Sequence, residues 1–391
     1  MRKNIWSWVL LVAGGHFWVD FYANMLPPLL PFIALMWGLN NAQLALLVSL
    51  QSMTSHFLQP IFGYFMDKSP LKWSLGLGII VLAIPMSLVG MAGSYLSFLV
   101  MVVLAGIGTA MFHPLGASRV VYGIEHDRAL KMSIFSCFGS IGYALAPVIT
   151  AYIVSMYGLG ALVYALIPAV VWVVLIRFLE TRNVREYQVK PAGKWEKIPL
   201  ETIKPLLTLC SIVALRTWVT SAVTIFIPLW LVSQGLSEKS AGLNLTLFLA
   251  AGTIGGLVCG YIYPKTGTKK MLVTSFILTI VLLPLYFYVG DTLRIGVLII
   301  LGFVIIGTAP VTIVIGQEIL PRRAGLASGV TMGLAFGLGG LGIMLTGFLA
   351  DKWGTVSALL LTMIVVVPAI ILTIGLDKMS AAGVEEREEP E

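Results

Sequence analysis

Long apolar runs recur along almost the whole chain, and they constrain its fold more than any other feature of the sequence. A helix that crosses a bilayer needs about 20 predominantly apolar residues. Twelve such runs occur, near residues 6–33, 42–66, 73–93, 95–118, 130–156, 159–179, 202–232, 240–263, 271–290, 293–316, 325–350 and 355–376. Charged residues make up only 11% of the chain, against about 25% in soluble domains. The sequence therefore predicts an all-α polytopic membrane protein with twelve transmembrane helices.

The two halves of the chain resemble each other. The tetrapeptide Ile107–Ala110 recurs as Ile306–Ala309, and Gly63-Tyr64 recurs as Gly260-Tyr261, at nearly equal separations of about half the chain. Six spans per half is an even number, so both halves share one orientation, as in transporters built from two parallel six-helix repeats. We predict an N-terminal bundle over 1–180, a cytoplasmic linker over 181–201, a second bundle over 202–376 and a disordered acidic cytoplasmic tail over 377–391.

Basic residues are distributed unequally between the two sides of the predicted spans. With a cytoplasmic N-terminus, only Lys239, Arg294 and Lys352 fall on the opposite side, although the chain has 25 Lys and Arg residues. Cytoplasmic loops of membrane proteins carry an excess of positive charge. We therefore expect a multi-pass protein of the plasma (inner) membrane with both termini in the cytoplasm. The net charge of +7 then reflects this topology and not binding to nucleic acid.

The sequence lacks the motifs of covalent chemistry. It has no Gly-x-x-x-x-Gly-Lys phosphate-binding loop, no close-spaced set of metal ligands and no Ser/His/Asp nucleophile arrangement. Its three cysteines, Cys137, Cys210 and Cys259, lie far apart within apolar runs, which argues against a disulfide framework or a metal site. We expect a protein that is not an enzyme, that needs no cofactor or metal and that does not use ATP.

Ionisable side chains inside the predicted spans give the strongest indication of function. Such groups are costly in a bilayer and commonly line substrate or proton routes. Asp20 lies in the middle of the first span, with His16 and Asn24 one turn to either side on the same face. His113 lies in the fourth span, and histidine titrates near physiological pH. We predict that Asp20, His113 and His16 couple transport to protons. The alternatives are a buried hydrogen-bonded network that holds helices together and, for His113, a hinge donor beside Pro114.

Arg216 is the basic residue that falls in the middle of a span, at the position of the second repeat equivalent to Asp20. A guanidinium stays charged and offers a planar fork to oxyanions. We predict that Arg216 anchors an acidic substrate group such as a carboxylate or a phosphonate, with Thr220 and Trp218 beside it as substrate-binding residues. A permanent structural ion pair between Arg216 and Asp20 is the alternative.

Two further groups of polar residues are candidates for binding and gating. Those at helical spacing in the first, second and fifth spans are predicted to line the substrate route, namely Asn24, Gln51, His56, Gln59 and Tyr143. Serines share these faces, namely Ser55 in the second span and Ser133, Ser136 and Ser140 in the fifth. Small hydroxyl side chains also join membrane helices, and this is the alternative for the serines. Charged residues at cytoplasmic helix ends are predicted to gate the route, namely Asp67, Arg119, Glu318 and Arg322.

Several motifs resemble those of the major facilitator superfamily of transporters. Gly63–Lys68 resembles the family's Gly-x-x-x-Asp-Arg/Lys loop after the second span. Gly142–Pro147 resembles its fifth-span antiporter motif, with Ala146 in place of a glycine. The resemblance covers nearly the whole chain. It implies the major facilitator fold, in which two six-helix bundles expose a central cavity alternately to the two sides of the membrane.

A closer resemblance is to the fosmidomycin resistance protein family of efflux carriers. It rests on Leu26–Pro31, on Gln59–Gly63 and on Phe112–Arg119, whose Phe-His-Pro segment is the most specific. This resemblance implies proton-driven export, by antiport, of a small amphipathic or anionic compound, with antibiotic resistance as a consequence. We also expect a functional monomer. A proton-coupled importer of an organic anion would use the same residues and stays open, as does a membrane sensor or scaffold that does not transport.

Overall fold

The described part of the protein is built from helices. The computed structural model describes residues 2–39, 41–68, 74–121, 127–183, 198, 200–236 and 238–376, and no strand occurs in these ranges. The α-helices in chain order are α1 (Arg2–Ala23), α2 (Leu26–Trp37), α3 (Asn41–Phe57), α4 (Gln59–Lys68), α5 (Leu75–Leu88), α6 (Tyr95–Val120), α7 (Arg128–Tyr157), α8 (Leu166–Asn183), α9 (Leu200–Ser233), α10 (Glu238–Thr266), α11 (Thr268–Tyr288), α12 (Asp291–Gly307), α13 (Ala309–Ile319), α14 (Ala324–Ser328), α15 (Ala335–Trp353) and α16 (Thr355–Leu361).

Each of the twelve predicted spans corresponds to a helical stretch among the described residues. Ten stretches are long and apolar enough to cross a membrane. The second predicted span is covered by α3 and α4, and the third by the shorter apolar stretch Leu75–Met91. The prediction of an all-α polytopic membrane protein is confirmed.

The first two predicted spans are interrupted. The first breaks after Ala23, and the second breaks at Leu58. Pro27 and Pro60 stand in the first turns of the helices that follow. Proline has no N–H to bond to the preceding turn, but it is tolerated in the first turn of a helix, so a new helix begins here. Each of these two spans is therefore formed by two consecutive helices.

The chain divides into two compact units. Unit 1 comprises Met1–Glu125, Ile134–Glu196 and Pro321–Leu334, and unit 2 comprises His126–Ser133, Lys197–Leu320 and Ala335–Glu391. Each unit therefore holds most of one predicted bundle together with a short segment from the other half of the sequence. The predicted domain boundaries remain a prediction, because most of the linker and all of the tail lie outside the described residues.

A π-helical stretch, Gly329–Leu334, joins α14 to α15. It belongs to unit 1, and the chain passes to unit 2 directly after it. Its glycines fit against α3 and α4, since a Cβ at Gly329 would lie 2.5 Å from the Gln59 carbonyl oxygen and one at Gly333 would lie 2.5 Å from that of His56. Wider π turns inside helices are frequent at functional sites, and this one follows the predicted gate residues.

Within unit 2, α10 and α12 pack so closely that a glycine is required between them. A Cβ at Gly255 would lie 2.1 Å from the carbonyl oxygen of Phe303, a backbone atom that cannot move aside. We expect Gly255→Ala to destabilise the protein by about 2 kcal/mol, the usual scale for overpacking, and to lower its thermal unfolding temperature in detergent. Gly296→Ala on α12 is the matched control, because no atom of the described residues lies within 4 Å of its Cβ position. Equal unfolding temperatures for the two variants would contradict the packing argument.

Candidate functional site

The three residues predicted to couple protons meet in one cluster of unit 1. His16 Nε2 lies 3.2 Å from Asp20 Oδ2, one helical turn along α1. His113 Nε2, from α6, lies 3.1 Å from Asp20 Oδ1. The side chains of His16, His113 and Asp20 are 6%, 14% and 20% exposed. Both oxygens of one carboxylate are therefore paired with histidines, and Asp20 is the most accessible of the three.

Each imidazole in the cluster is oriented through its other nitrogen. His16 Nδ1 lies 2.7 Å from the backbone oxygen of Phe135 in α7. His113 Nδ1 lies 3.3 Å from Gln59 Nε2, and the same amide nitrogen donates to the Ser55 carbonyl at 2.8 Å. Gln59, predicted to bind substrate, is 2% exposed and here positions His113.

Aromatic rings and a glycine shape the space around His16. The rings of His16 and Phe135 stack with centroids 4.0 Å apart at 15°, and Phe112 stacks on the ring at 6.2 Å. A Cβ at Gly139 would lie 2.5 Å from His16 Cε1 and 2.6 Å from Asp20 Oδ2. Any side chain at position 139 would therefore displace the pair.

The cluster has the composition of a metal site, with ligand atoms of His16, Asp20 and His113 within 4.8 Å of one another. A histidine ligand must turn an unprotonated nitrogen toward the metal. The Gln59 amide donates to His113 Nδ1, so His113 Nε2 carries the hydrogen and turns an N–H toward Asp20. This arrangement suits a proton site better than a metal site.

Of the other predicted route residues of unit 1, Gln51 and Asn24 make hydrogen bonds at the break after α1. Gln51 Nε2 donates to the carbonyl of Ala23 at 2.9 Å, which supplies a partner near the broken helix end. Asn24 Nδ2 donates to the carbonyl of Tyr143 at 2.8 Å, and the Tyr143 side chain is 54% exposed. His56 Nδ1 donates to the Ser52 carbonyl of its own helix at 2.8 Å.

Arg216 is buried within unit 2, with 3% of its surface exposed. Its Nε has no hydrogen-bond partner within the described part of the chain, and its guanidinium carbon lies 5.9 Å from the ring centroid of Phe336. Among the described residues no carboxylate forms an ion pair with it. Thr220 Oγ1 donates to the Arg216 carbonyl at 2.9 Å, and Trp218 Nε1 donates to Thr346 Oγ1 at 2.8 Å.

Asp67, a predicted gate residue, binds the start of α14 within unit 1. Its Oδ1 accepts from the Gly325 N–H at 3.0 Å and its Oδ2 from the Leu326 N–H at 2.8 Å. A carboxylate at a helix N-terminus satisfies unpaired N–H groups and complements the helix dipole. Burial nevertheless raises the pKa of Asp67 to about 6, because it outweighs these N–H donors and the nearby charge of Arg323.

The remaining gate candidates lie at other helix ends. Glu318 Oε2 in unit 2 accepts from Tyr263 Oη at 2.8 Å. In unit 1 the carbonyl of Arg119 accepts from Trp8 Nε1 at 3.1 Å. Arg322 lies in the 3-10 turn Pro321–Arg323, and its side chain lies outside the described part of the structure.

Four residues that contribute to these sites were not predicted from the sequence. Phe135 contributes a backbone carbonyl, which any residue would offer. Gly139 is one of 40 glycines, so its close approach to the cluster has no sequence signal. In unit 2, Tyr263 pairs with Glu318, and Arg128 Nη2 lies 3.4 Å from Gln317 Oε1.

Comparisons with known proteins agree on the family. Residues 12–341 match the family model described as Major Facilitator Superfamily. The fosmidomycin resistance protein of Escherichia coli (strain K12) is 28% identical over 349 residues, covering 87% of this chain and 85% of that protein. The MFS-type transporter YfnC of Bacillus subtilis (strain 168) is 28% identical, covering 88% and 87%. The probable nitrate transporter NarT of Staphylococcus haemolyticus (strain JCSC1435) is 23% identical, covering 85% and 84%.

Solved structures show the same fold. The crystal structure of the transporter FucP in the outward conformation matches with a TM-score of 0.73 at 16% identity, covering 94% of this chain and 98% of that one. A crystal structure of the E. coli fucose:proton symporter FucP matches with a TM-score of 0.71. The predicted family resemblance and fold are confirmed, and the chain belongs to the Major Facilitator Superfamily.

Proposed function

We propose that this protein is a secondary active transporter that exports a small amphipathic or anionic compound in exchange for protons. The observation that carries the proposal is the Asp20 carboxylate held between His16 and His113 inside the first span. Ionisable residues within membrane spans mark ion and substrate routes, and this cluster can take up and release a proton. The similarity to the fosmidomycin resistance protein supports export as the direction.

Arg216 is the proposed anchor for the acidic group of the substrate. A buried guanidinium without a carboxylate partner carries an uncompensated charge, which is strongly unfavourable. An incoming carboxylate or phosphonate would supply the missing counter-charge and the partner that Nε lacks. Thr220 and Trp218 flank this position on α9, and Asn24, Gln51, His56, Gln59 and Tyr143 remain proposed contacts of the substrate route.

A proton-coupled importer of an inorganic or organic anion is the second candidate. The specific observation in its favour is the similarity to a probable nitrate transporter over most of the chain. Importer and exporter could use the same proton cluster and the same guanidinium. They differ in whether proton and substrate bind together or compete.

Vesicles with an imposed pH gradient separate the two functions. The purified protein is reconstituted, the membrane potential is clamped, and radiolabelled fosmidomycin and nitrate are offered as probes. Exchange accumulates the probe on the acidic side of the membrane, whereas symport accumulates an anion on the alkaline side. Expression in a fosmidomycin-sensitive bacterial strain should also raise the inhibitory concentration of the drug. Absence of saturable counterflow for a broad panel of compounds would favour a sensor or scaffold.

Asp67 is proposed to lock the cytoplasmic gate by holding the start of α14, and Arg119, Glu318 and Arg322 are the other proposed gate residues. Asp67→Ala leaves the Gly325 and Leu326 N–H groups without acceptors. Hydrogen bonds to charged groups are worth about 2 kcal/mol, so we expect amide hydrogen exchange at these two residues to rise about thirtyfold. Asp291→Asn, which changes an exposed carboxylate paired with Arg294, is the control and should leave this exchange unchanged.

The contact between Asp67 and the start of α14 should become more stable as the pH falls. Because the pKa of Asp67 is about 6 in the packed state and about 3.9 in water, protonation favours the packed state. Protection of the two amides, corrected for intrinsic exchange, should therefore rise about fourfold between pH 7.5 and pH 5.5. A fall in protection over this range would contradict the proposed burial of Asp67.

A further inference from the structure

The hydrogen bonds of His16 require a proton between this residue and Asp20. The Phe135 carbonyl oxygen can only accept, so His16 Nδ1 at 2.7 Å must carry a hydrogen. If the ring is neutral, Nε2 then carries no hydrogen, and its lone pair faces Asp20 Oδ2 at 3.2 Å. Two acceptors at this distance repel each other. The observed geometry is stable only if one proton lies on His16 Nε2 or on Asp20 Oδ2.

His113 accepts a hydrogen bond at Nδ1 and donates one from Nε2, so it needs no additional proton. The Gln59 amide nitrogen is fixed as a donor by the Ser55 carbonyl, and its second hydrogen points to His113 Nδ1 at 3.3 Å. Nδ1 is therefore the acceptor of a neutral ring, and Nε2 carries the hydrogen. That N–H donates to Asp20 Oδ1 at 3.1 Å, so both nitrogens are satisfied without a net charge.

We propose that the exchangeable proton is held by the pair His16 Nε2 and Asp20 Oδ2, and that His113 is a positioning residue which stays neutral. The inference rests on the proposed proton-coupled transport and assigns its proton to a pair of atoms. One proton added to the pair bridges the two atoms. Its release leaves a lone pair facing a carboxylate oxygen, which drives the two side chains apart and disturbs their contacts with the Phe135 carbonyl on α7 and with His113 on α6.

Other titratable groups near the pair come from three helices. His113 faces it from α6, and His56 on α3 and Tyr143 on α7 interact electrostatically with Asp20. α5 also packs on α1 and contains no ionisable side chain. On α8 the described ionisable residue Arg177 is exposed. His56 uses Nδ1 as a donor within its own helix, and among the described hydrogen bonds none joins its ring to the pair.

Nitrogen NMR of the histidine side chains tests this assignment directly, since the chain has only 4 histidines. The full-length protein is labelled with ¹⁵N-histidine, purified with a metal chelator and measured from pH 5 to pH 9 without substrate. Single His→Gln variants assign the four rings. We expect His16 to keep a proton on Nδ1 at every pH and to gain and lose one on Nε2. We expect His113 to keep its Nε2 hydrogen and an unprotonated Nδ1 throughout.

Transport by two variants supplies a second readout. The amide introduced by His113→Gln can still donate to Asp20 Oδ1, so pH-driven accumulation should persist at about the wild-type level. His16→Gln replaces the exchangeable site with a permanent donor and should abolish accumulation while leaving downhill exchange. Asp291→Asn, which changes an exposed carboxylate paired with Arg294 outside the proposed sites, is the control. Titration of His113 in place of His16, or an Nε2–H tautomer of neutral His16, would overturn the assignment. Because the spectra need no substrate, they decide the assignment even if transport proves independent of protons.

Discussion

Replacing Asp20 with asparagine is expected to abolish accumulation driven by a pH gradient while preserving downhill exchange. The introduced amide imitates the protonated pair, because its oxygen accepts from His113 and its NH2 donates to His16 Nε2. The site is then fixed in one state and cannot carry a proton. With one proton exchanged per substrate and the membrane potential clamped, a gradient of about one pH unit sustains about a tenfold accumulation in the wild type. Asp20→Asn should reduce this ratio to one.

The measurement is uptake of radiolabelled fosmidomycin into proteoliposomes with and without the gradient. Asp291→Asn provides a matched control, since this carboxylate is exposed and paired with Arg294 at a helix end. If Asp20→Asn still accumulates the probe with an unchanged pH dependence, Asp20 has a structural role. His113 would then be the leading candidate for the proton carrier.

Replacing Arg216 with lysine is expected to weaken binding of an anionic substrate about thirtyfold, which corresponds to about 2 kcal/mol for a lost charge-assisted hydrogen bond. Lysine keeps the positive charge but lacks the planar fork that binds both oxygens of an oxyanion. A neutral ester of the same compound does not use the fork, so its affinity should change little. The ratio of the two affinities, measured by competition in counterflow, isolates the anion-binding role.

Arg294→Lys is the control for this substitution. Arg294 also lies against aromatic rings, 5.2 Å from the ring centroid of Trp230, but it pairs with Asp291 at the end of α12. Equal losses of affinity for the anion and the ester in Arg216→Lys would show that Arg216 stabilises the helices and does not recognise charge.

The architecture was predictable because a bilayer imposes its own length and polarity on a chain. Every spanning helix must satisfy its backbone internally and present apolar side chains, so the runs of the sequence correspond closely to helices. The breaks within the first two spans were not predicted. Pro114 and Pro147 lie inside long helices, whereas Pro27 and Pro60 follow helix breaks, and the residues alone do not distinguish the two situations.

The proton cluster was predictable in part. His16 and Asp20 are four residues apart on one helix, and this spacing places them on the same face. The distance from either residue to His113 depends on how α1 and α6 pack, which the sequence does not specify. The Phe135 carbonyl is a backbone group without a sequence signal, and Gln59 was expected to touch substrate. The assignment of the proton depends on the contacts of Phe135 with His16 and of Gln59 with His113. Only the three-dimensional structure shows these two contacts.

The coupling of proton and substrate is tested most directly by following protons while substrate moves. Proteoliposomes with an entrapped pH indicator, no initial pH gradient and a clamped membrane potential receive fosmidomycin on the outside. Proton-coupled exchange predicts that the lumen becomes more alkaline as the compound enters and protons leave. In vesicles preloaded with unlabelled fosmidomycin, Asp20→Asn should exchange the labelled compound without any pH change. Acidification of the lumen on substrate entry, or saturable wild-type uptake without any pH change, would contradict the account.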